Sequence, residues 1–477
     1  MSLLKQARQG VFWTFLQQFS VQLINFGVQI VLARLLVPSD FGLIAMISIF
    51  IAVGQNLTDS GMSTSLIRNP KNTETDYGTV FITNLCISIL IYLVIYLLAP
   101  LVSRFYEQII LTPLLRLYAS VFVINAFTAV QLARFSKELK FKVQFSYQLP
   151  SVIIGALIGV YLAYIGYGVW SMVWLNIVQA FVFACSLWFF SPWRPKLVFN
   201  RTIFQYHFSF GYKLTLSSLL NTIYLNLYKI IIGKNFSPTS VGYFTQADNL
   251  RSFPINQLST VLNKVTFPLF SSIQNDIKLK KAYKSAMRLV LSLSSAMMFI
   301  LILIAFPLFS FIFGEKWLPA VPYFQVLCIA SIFLPIGTYN LNILKVKGRS
   351  DLFLKVEVIK KIIGVTALVI SVPFGILAMV WTLCLTNVFF AYLNGYFSGK
   401  LINYLTVEQI VDSLKVVFIA FIPAVMIYFA RSFFDLKSSN DIAVIFIVFS
   451  LYTILYVPLI YILNKDLLDD LRIILKR

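Results

Sequence analysis

Of the 477 residues, 59% are hydrophobic and 12% are charged, half the share of roughly 25% that a soluble domain carries. Too few polar side chains exist to cover a water-facing surface of that size, which excludes a soluble globular protein. The formal net charge of +21 invites nucleic acid as a partner, but its distribution along the chain argues against that.

Apolar runs of about 20 residues, the length that crosses roughly 30 Å of hydrocarbon, recur from end to end. They predict an all-α integral membrane protein with about fourteen transmembrane helices. The spans lie near 11–36, 41–66, 78–103, 112–134, 145–166, 169–190, 208–233, 241–266, 284–313, 319–345, 355–373, 376–399, 413–434 and 441–463. The start carries Lys5 and Arg8 and runs into a long apolar stretch with no small-residue cleavage site, so the first helix reads as uncleaved. In that span Thr14, Gln18, Gln22, Asn25 and Gln29 recur at helical spacing and share one face. Span two adds Ser48, Gln55, Asn56 and Asp59. Spans five and six are joined by little more than Gly166-Tyr167-Gly168, and residues 191–196 (SPWRPK) form a short proline-stiffened join.

Span seven repeats the polar face of span one, with Lys213, Ser217, Asn221, Tyr224 and Tyr228 at the same steps. Span eight carries Gln246, Asn249, Asn256, Gln257, Thr260 and Asn263, with Pro254 predicted to kink it; Asp248 and Arg251 are three apart and can pair on one face. After residue 464, Leu467, Leu468, Leu471, Ile474 and Leu475 keep helical spacing, as in a helix lying on the inner surface.

These echoes extend along the chain. Pro38 returns as Pro238; Pro100 and Ser103 match Pro307 and Ser310. Ala119, Ser120 and Phe122 match Ala330, Ser331 and Phe333, and Gly168, Met172, Val173 and Trp174 match Gly375, Met379, Val380 and Trp381. The sequence therefore predicts two six-helix lobes in tandem, 1–193 and 200–400, followed by helices thirteen and fourteen and a cytoplasmic tail in 401–477. Six spans per lobe return the chain to its starting side, so both lobes share one orientation. Most Lys and Arg then fall in the even-numbered loops and the tails, as at Arg134/Lys137/Lys140/Lys142 and Lys278/Lys280/Lys281/Lys284. That bias follows the positive-inside rule and places both termini in the cytoplasm.

Polar groups in hydrocarbon must face water or one another. The two stripes either bond helix to helix or turn toward a shared central cavity, and their equivalence favours the cavity. Arg34 and Lys234 are repeat-equivalent and able to snorkel; Lys229 lies about a turn deeper. With Lys213, Arg251 and Lys264 they form a cationic path suited to a phosphate- or carboxylate-bearing substrate. Asp59 and Asp248 are the in-span acids and the candidates for proton or sodium coupling. Enzyme chemistry is not expected. The one histidine, His207, sits at the inner edge of span seven and reads as satisfied or solvated; it cannot supply a His-based metal site or a triad. No GxxxxGK[ST] occurs. The four cysteines are scattered through apolar spans, as small buried hydrophobes rather than disulfides or ligands. No cofactor or metal is expected.

Residues 33–46 (ARLLVPSDFGLIAM), 59–67 (DSGMSTSLI) and 348–361 (GRSDLFLKVEVIKK) resemble the polysaccharide transporters, the Wzx-type repeat-unit flippases of the MOP superfamily. The resemblance implies two six-helix lobes in a V, with two further helices. It implies a multi-pass bacterial inner-membrane protein that moves an undecaprenyl-pyrophosphate-linked oligosaccharide repeat unit from inner to outer leaflet by alternating access. It also implies a polysaccharide polymerase and a chain-length regulator as functional partners and membrane lipids as surroundings. Arg34, Lys213, Lys229 and Arg251 fit the cationic cavity of that family by location, while Gln18, Gln22, Asn25, Gln29, Asn56, Asn221, Tyr224 and Tyr228 would meet sugar hydroxyls. A MATE-type cation or drug antiporter would need a cavity richer in carboxylates. A peptidoglycan-precursor flippase is harder to separate, and a glycan polymerase or ligase would need a large outer loop that the chain lacks.

Overall fold

The computed structural model describes residues 3–191, 193–433 and 440–463, with the side chains of residues 3–9, 11, 259–265, 267, 268 and 431–433 outside the description; the predicted tail helix after 464 also lies outside it. Every regular element among the described residues is helical. Contacts divide the chain into two units, Met1–Gly242 and Tyr243–Arg477.

The first unit holds α1 (Leu3–Leu35), α2 (Pro38–Asp59), α3 (Met62–Arg68), α4 (Glu74–Tyr106), α5 (Leu111–Tyr118), α6 (Ser120–Lys137), α7 (Phe141–Tyr164), α8 (Val169–Phe190), α9 (Arg201–Asn235) and the first turn of α10 (Pro238–Ser272). Proline at the first helical position starts α2 and α10 alike, since its fixed φ and missing N–H suit that position. Thr73 caps α4 by accepting from the Asp76 N–H, and the Asp76 carboxylate accepts from the Thr73 N–H in return, a reciprocal capping box. α7 and α8 are joined through Gly166 (φ +88°) and Gly168 (φ +54°), left-handed positions that glycine adopts at no steric cost. In this unit α1 packs on α7, α7 on α8, α4 on α6, and α9 on α2, α3 and α4.

The second unit continues through α11 (Asp276–Leu303), α12 (Ala305–Phe313), a 3-10 turn at Glu315–Ala320, α13 (Val321–Ile332), α14 (Leu334–Val346), α15 (Ser350–Ser371), α16 (Ile376–Leu401), α17 (Thr406–Phe433) and α18 (Asp441–Leu463). The buried Asn340 amide ties four of these together. It accepts from Tyr283 and Ser398, both at 2.6 Å, and donates to Gln409 Oε1 at 3.2 Å. The Gln409 Nε2 donates to the Gly395 and Tyr404 carbonyls. A buried polar knot is stabilising only when its members are paired, and this one joins α17 firmly to α11, α14 and α16.

The repeat read from the sequence has a backbone counterpart. α1 and α2 meet at a two-residue turn before Pro38, as α9 and α10 do before Pro238, and repeat-equivalent Gly168 and Gly375 both precede a helix with positive φ. Eleven helical stretches among the described residues have the length and hydropathy to cross a bilayer. The other three long helices, α9, α10 and α15, carry the polar stripes and clustered bases that lower their hydropathy; together the fourteen coincide with the predicted spans. Large apolar side chains such as Leu97 (72% exposed) and Phe446 (67%) stand on their surfaces, which in water would be a liability and in lipid is the solvated face. The chain is a multi-pass, all-helical membrane protein.

Candidate functional site

α9 is the most polar of the long helices in the first unit. Asn200 caps it by accepting from the Thr202 and Ile203 N–H groups. Along its course Lys213 and Asn221 are exposed, while Tyr224, Tyr228 and Lys229 are half-buried. Neither Lys213 nor Lys229 has a carboxylate partner among the described residues. On α1, Gln18, Asn25 and Arg34 are exposed and Gln22 and Gln29 half-buried. Thr14 turns back to donate to the Gly10 carbonyl at 2.8 Å. α1 packs on α7, while α9 packs on α2, α3 and α4, so the two stripes stand on helices with different principal neighbours.

The polar residues of α2 divide between two neighbours. Asn56 faces α9: its amide donates to Thr222 Oγ1 at 2.9 Å and its carbonyl accepts from Ser218 at 2.9 Å. Gln55 and Asp59 face the other way, into a cavity of about 470 Å³ lined also by Ser63, Phe122, Asn125 and Thr128. A second cavity of about 200 Å³ shares Gln55, Asn125 and Phe183 with the first and adds Tyr118, Gln148, Ser151, Asn176 and Gln179. The two form one cleft among α2, α3, α5, α6, α7 and α8. Ser63 donates to the Asp59 carboxylate, and Gln148 accepts from Gln17. The cleft amides Asn125, Gln148, Asn176 and Gln179 escaped the sequence analysis. Their signal was available: Gln148 with Ser151, and Asn176 with Gln179, are polar pairs three apart inside otherwise apolar spans.

α9 is held along its length. At the turn end, a Cβ on Gly42 would lie 1.7 Å from the Pro238 carbonyl oxygen, and one on Gly242 would lie 2.0 Å from that of Pro38. Repeat-equivalent residues thus meet reciprocally, as across a local two-fold axis. Beside them Lys234 donates to Glu107 at 2.9 Å, and the ammonium holds that carboxyl below the usual carboxylate range. At the other end Gly61 and Gly211 bring backbones together, with a Cβ on Gly61 falling 2.5 Å from the Gly211 carbonyl oxygen. His207 is fully buried there, its Nδ1 2.8 Å from Ser65 Oγ and its Nε2 3.0 Å from Asp76 Oδ1. The expected satisfied histidine is what the fold contains.

In the second unit, the expected Asp248–Arg251 pair forms at 2.6 Å, and Arg251 also donates to Ser331 on α13 at 2.9 Å. Its charge is largely spent within the protein. Thr260, Asn263 and Lys264 lie outside the described side chains. No group of three potential metal-ligating side chains occurs among the described residues.

Comparison with solved structures gives the fold. The chain is similar to the lipid II flippase MurJ in an inward closed conformation, with a TM-score of 0.77 at 14% identity, covering 96% of this chain and 100% of that one. It is also similar to an inward-facing multidrug resistance MATE family transporter of the MOP superfamily, with a TM-score of 0.61 at 16% identity over 80% of this chain and 94% of that one. By sequence it is 25% identical over 376 residues to the lipopolysaccharide biosynthesis protein WzxC of Escherichia coli (strain K12), covering 78% of this chain and 76% of that protein. It is 24% identical over 364 residues to the teichuronic acid biosynthesis protein TuaB of Bacillus subtilis (strain 168), covering 74% and 73%. The succinoglycan biosynthesis transport protein ExoT of Rhizobium meliloti (strain 1021) is 24% identical over 389 residues, covering 80% and 78%. A family model described as polysaccharide biosynthesis protein matches residues 31–322, more than half of the chain, and the protein belongs to that family.

Proposed function

We propose that this protein flips an undecaprenyl-pyrophosphate-linked oligosaccharide repeat unit from the inner to the outer leaflet of a bacterial plasma membrane, by alternating access between lobes 1–193 and 200–400. Both termini are cytoplasmic in this reading. The observation that carries it is the polar face of α9, where Lys213 and Lys229 have no carboxylate partner among the described residues and stand with Asn221, Tyr224 and Tyr228 on a helix of membrane-spanning length. Unneutralised ammonium groups at membrane depth are costly unless they serve an anion or reach water, and a diphosphate is such an anion. Gln18, Gln22, Asn25, Gln29 and Arg34 on α1, with Asn56 on α2, complete the substrate surface. Arg251 takes a structural share through Asp248 and Ser331. Asp59, in the first-unit cleft, and Asp248 are the groups for any proton or sodium coupling. The names of the relatives, which place WzxC, TuaB and ExoT in polysaccharide biosynthesis or its transport, support the substrate class.

The test is complementation of a bacterium deleted for its own repeat-unit flippase, scoring surface polymer and trapped lipid-linked intermediate. Wild type is expected to restore polymer and a well-expressed Lys213→Ala/Lys229→Ala variant to leave the intermediate trapped. Failure of wild type across several acidic and neutral repeat units, with drug efflux instead, would replace this reading with a MATE-type antiporter.

A further inference from the structure

The cleft of the first unit is chemically unlike the α9 face. Gln55, Asn125 and Gln179 point into it with no side-chain partner among the described residues, and the Asn176 amide donates only to its own helix, at the Met172 carbonyl. Gln55 is exposed and Asn125, Asn176 and Gln179 are half-buried, so these amides face space that water or a ligand fills. Neither cavity is lined by Lys or Arg, and the one acid is Asp59. A diphosphate has nothing to bind there. A lone monovalent cation would use Asp59 and a few nearby oxygens, leaving the amides at the Gln148–Gln179 end without purpose.

A sugar ring uses all of it. Hydroxyls both donate and accept, as carboxamides do, and a carboxylate accepts two hydroxyls at once. The rings of Phe122, Phe183 and Tyr118 supply apolar walls for the C–H faces. Phe122 is seated by Gly54, where a Cβ would come within 2.4 Å of the ring. The larger cavity, about 470 Å³, falls within the range of roughly 300–1,000 Å³ usual for small-molecule sites.

We propose that this cleft is a sugar subsite: it holds one or two uncharged rings of the glycan headgroup, with Asp59, Gln55, Asn125 and Gln179 bonding the hydroxyls, while the diphosphate stays with the lysines of α9. The assignment rests on the flippase reading for the source of the sugar.

The test uses the full chain with its four cysteines replaced by Ala, carrying Ala129→Cys or Ala180→Cys, which line the two cavities without bonding a hydroxyl, or, as an exposed control outside both linings, Leu157→Cys. Thiol labelling is followed in inverted membrane vesicles from three strains: one that accumulates the lipid-linked repeat unit, one that holds undecaprenyl pyrophosphate without sugar, and one lacking both. Labelling at residues 129 and 180 is expected to slow about tenfold only in the first strain, as when roughly nine sites in ten are occupied, with no change at residue 157, and the protection is expected to be the same when choline replaces sodium. Protection by the sugarless diphosphate, protection by sodium alone, or no protection in variants that still restore polymer would each overturn the subsite and leave the flippase reading standing. Failure of wild type to restore polymer overturns the flippase reading, and the sugar subsite with it.

Discussion

The chain's only histidine is buried where α9 crosses the start of α4, and its two ring nitrogens are both used. His207→Ala removes a partner from Ser65 and from Asp76, although Thr73 still donates to that carboxylate. A loss of about 1–3 kcal/mol is expected, the cost of buried groups left unpaired, read as a lower midpoint of thermal unfolding in detergent. Ser65→Ala removes one of the two bonds to the ring and should cost less. At this scale the sequence was informative about residue types and silent about their partners. Asp248 and Arg251 are three apart on one helix, so their pairing is a local matter and was legible. The Asn56 bonds to Thr222 and Ser218 join residues far apart in the chain, and no local pattern encodes them. The same holds for Asn125 and Gln179, which lie on different helices and reach one cleft only through the packing of α6 on α8.

Among the elements, α9 has the most telling surroundings. Its sequence neighbours suggest a helix of the second repeat, yet its contacts are with α2, α3 and α4. Glycines make this possible, because only a residue without a Cβ lets two helix backbones approach so closely. The reciprocal contact of Gly42 and Gly242 supplies a test. Gly42→Ala or Gly242→Ala forces a methyl onto a backbone carbonyl that cannot rotate away, and each should destabilise by about 1–3 kcal/mol. Since both substitutions open one shared contact, the double variant should cost less than the sum of the two; full additivity in thermal unfolding would mean that the seam is not one contact. Lys234–Glu107 beside it is exposed, so Glu107→Gln should change little.

For the molecule as a whole, the proposed alternating access between lobes 1–193 and 200–400 would require α9 to part from α2 during the cycle. Joining the Asn56→Cys/Ser218→Cys pair with a short bis-methanethiosulfonate, which forms a disulfide to each cysteine as sulfinate leaves, is therefore expected to stop polymer export in cells, and reduction to restore it. Continued export by the fully cross-linked protein would show that this seam stays shut throughout. The sequence by itself determined that the chain lives in a bilayer, that it has about fourteen long helical segments, eleven of them, among the described residues, apolar enough to span it, and that the pattern of one half returns in the other. These are linear properties: hydropathy accumulates along a run of about twenty residues, and a repeat is visible in residue order alone. Only the tertiary structure decided that α2 offers Asn56 to α9 and Gln55 with Asp59 to a cleft, that His207 is locked between Ser65 and Asp76, and that amides from four helices converge. A helix displays several faces at once, and which one meets a neighbour depends on packing between segments far apart in the chain.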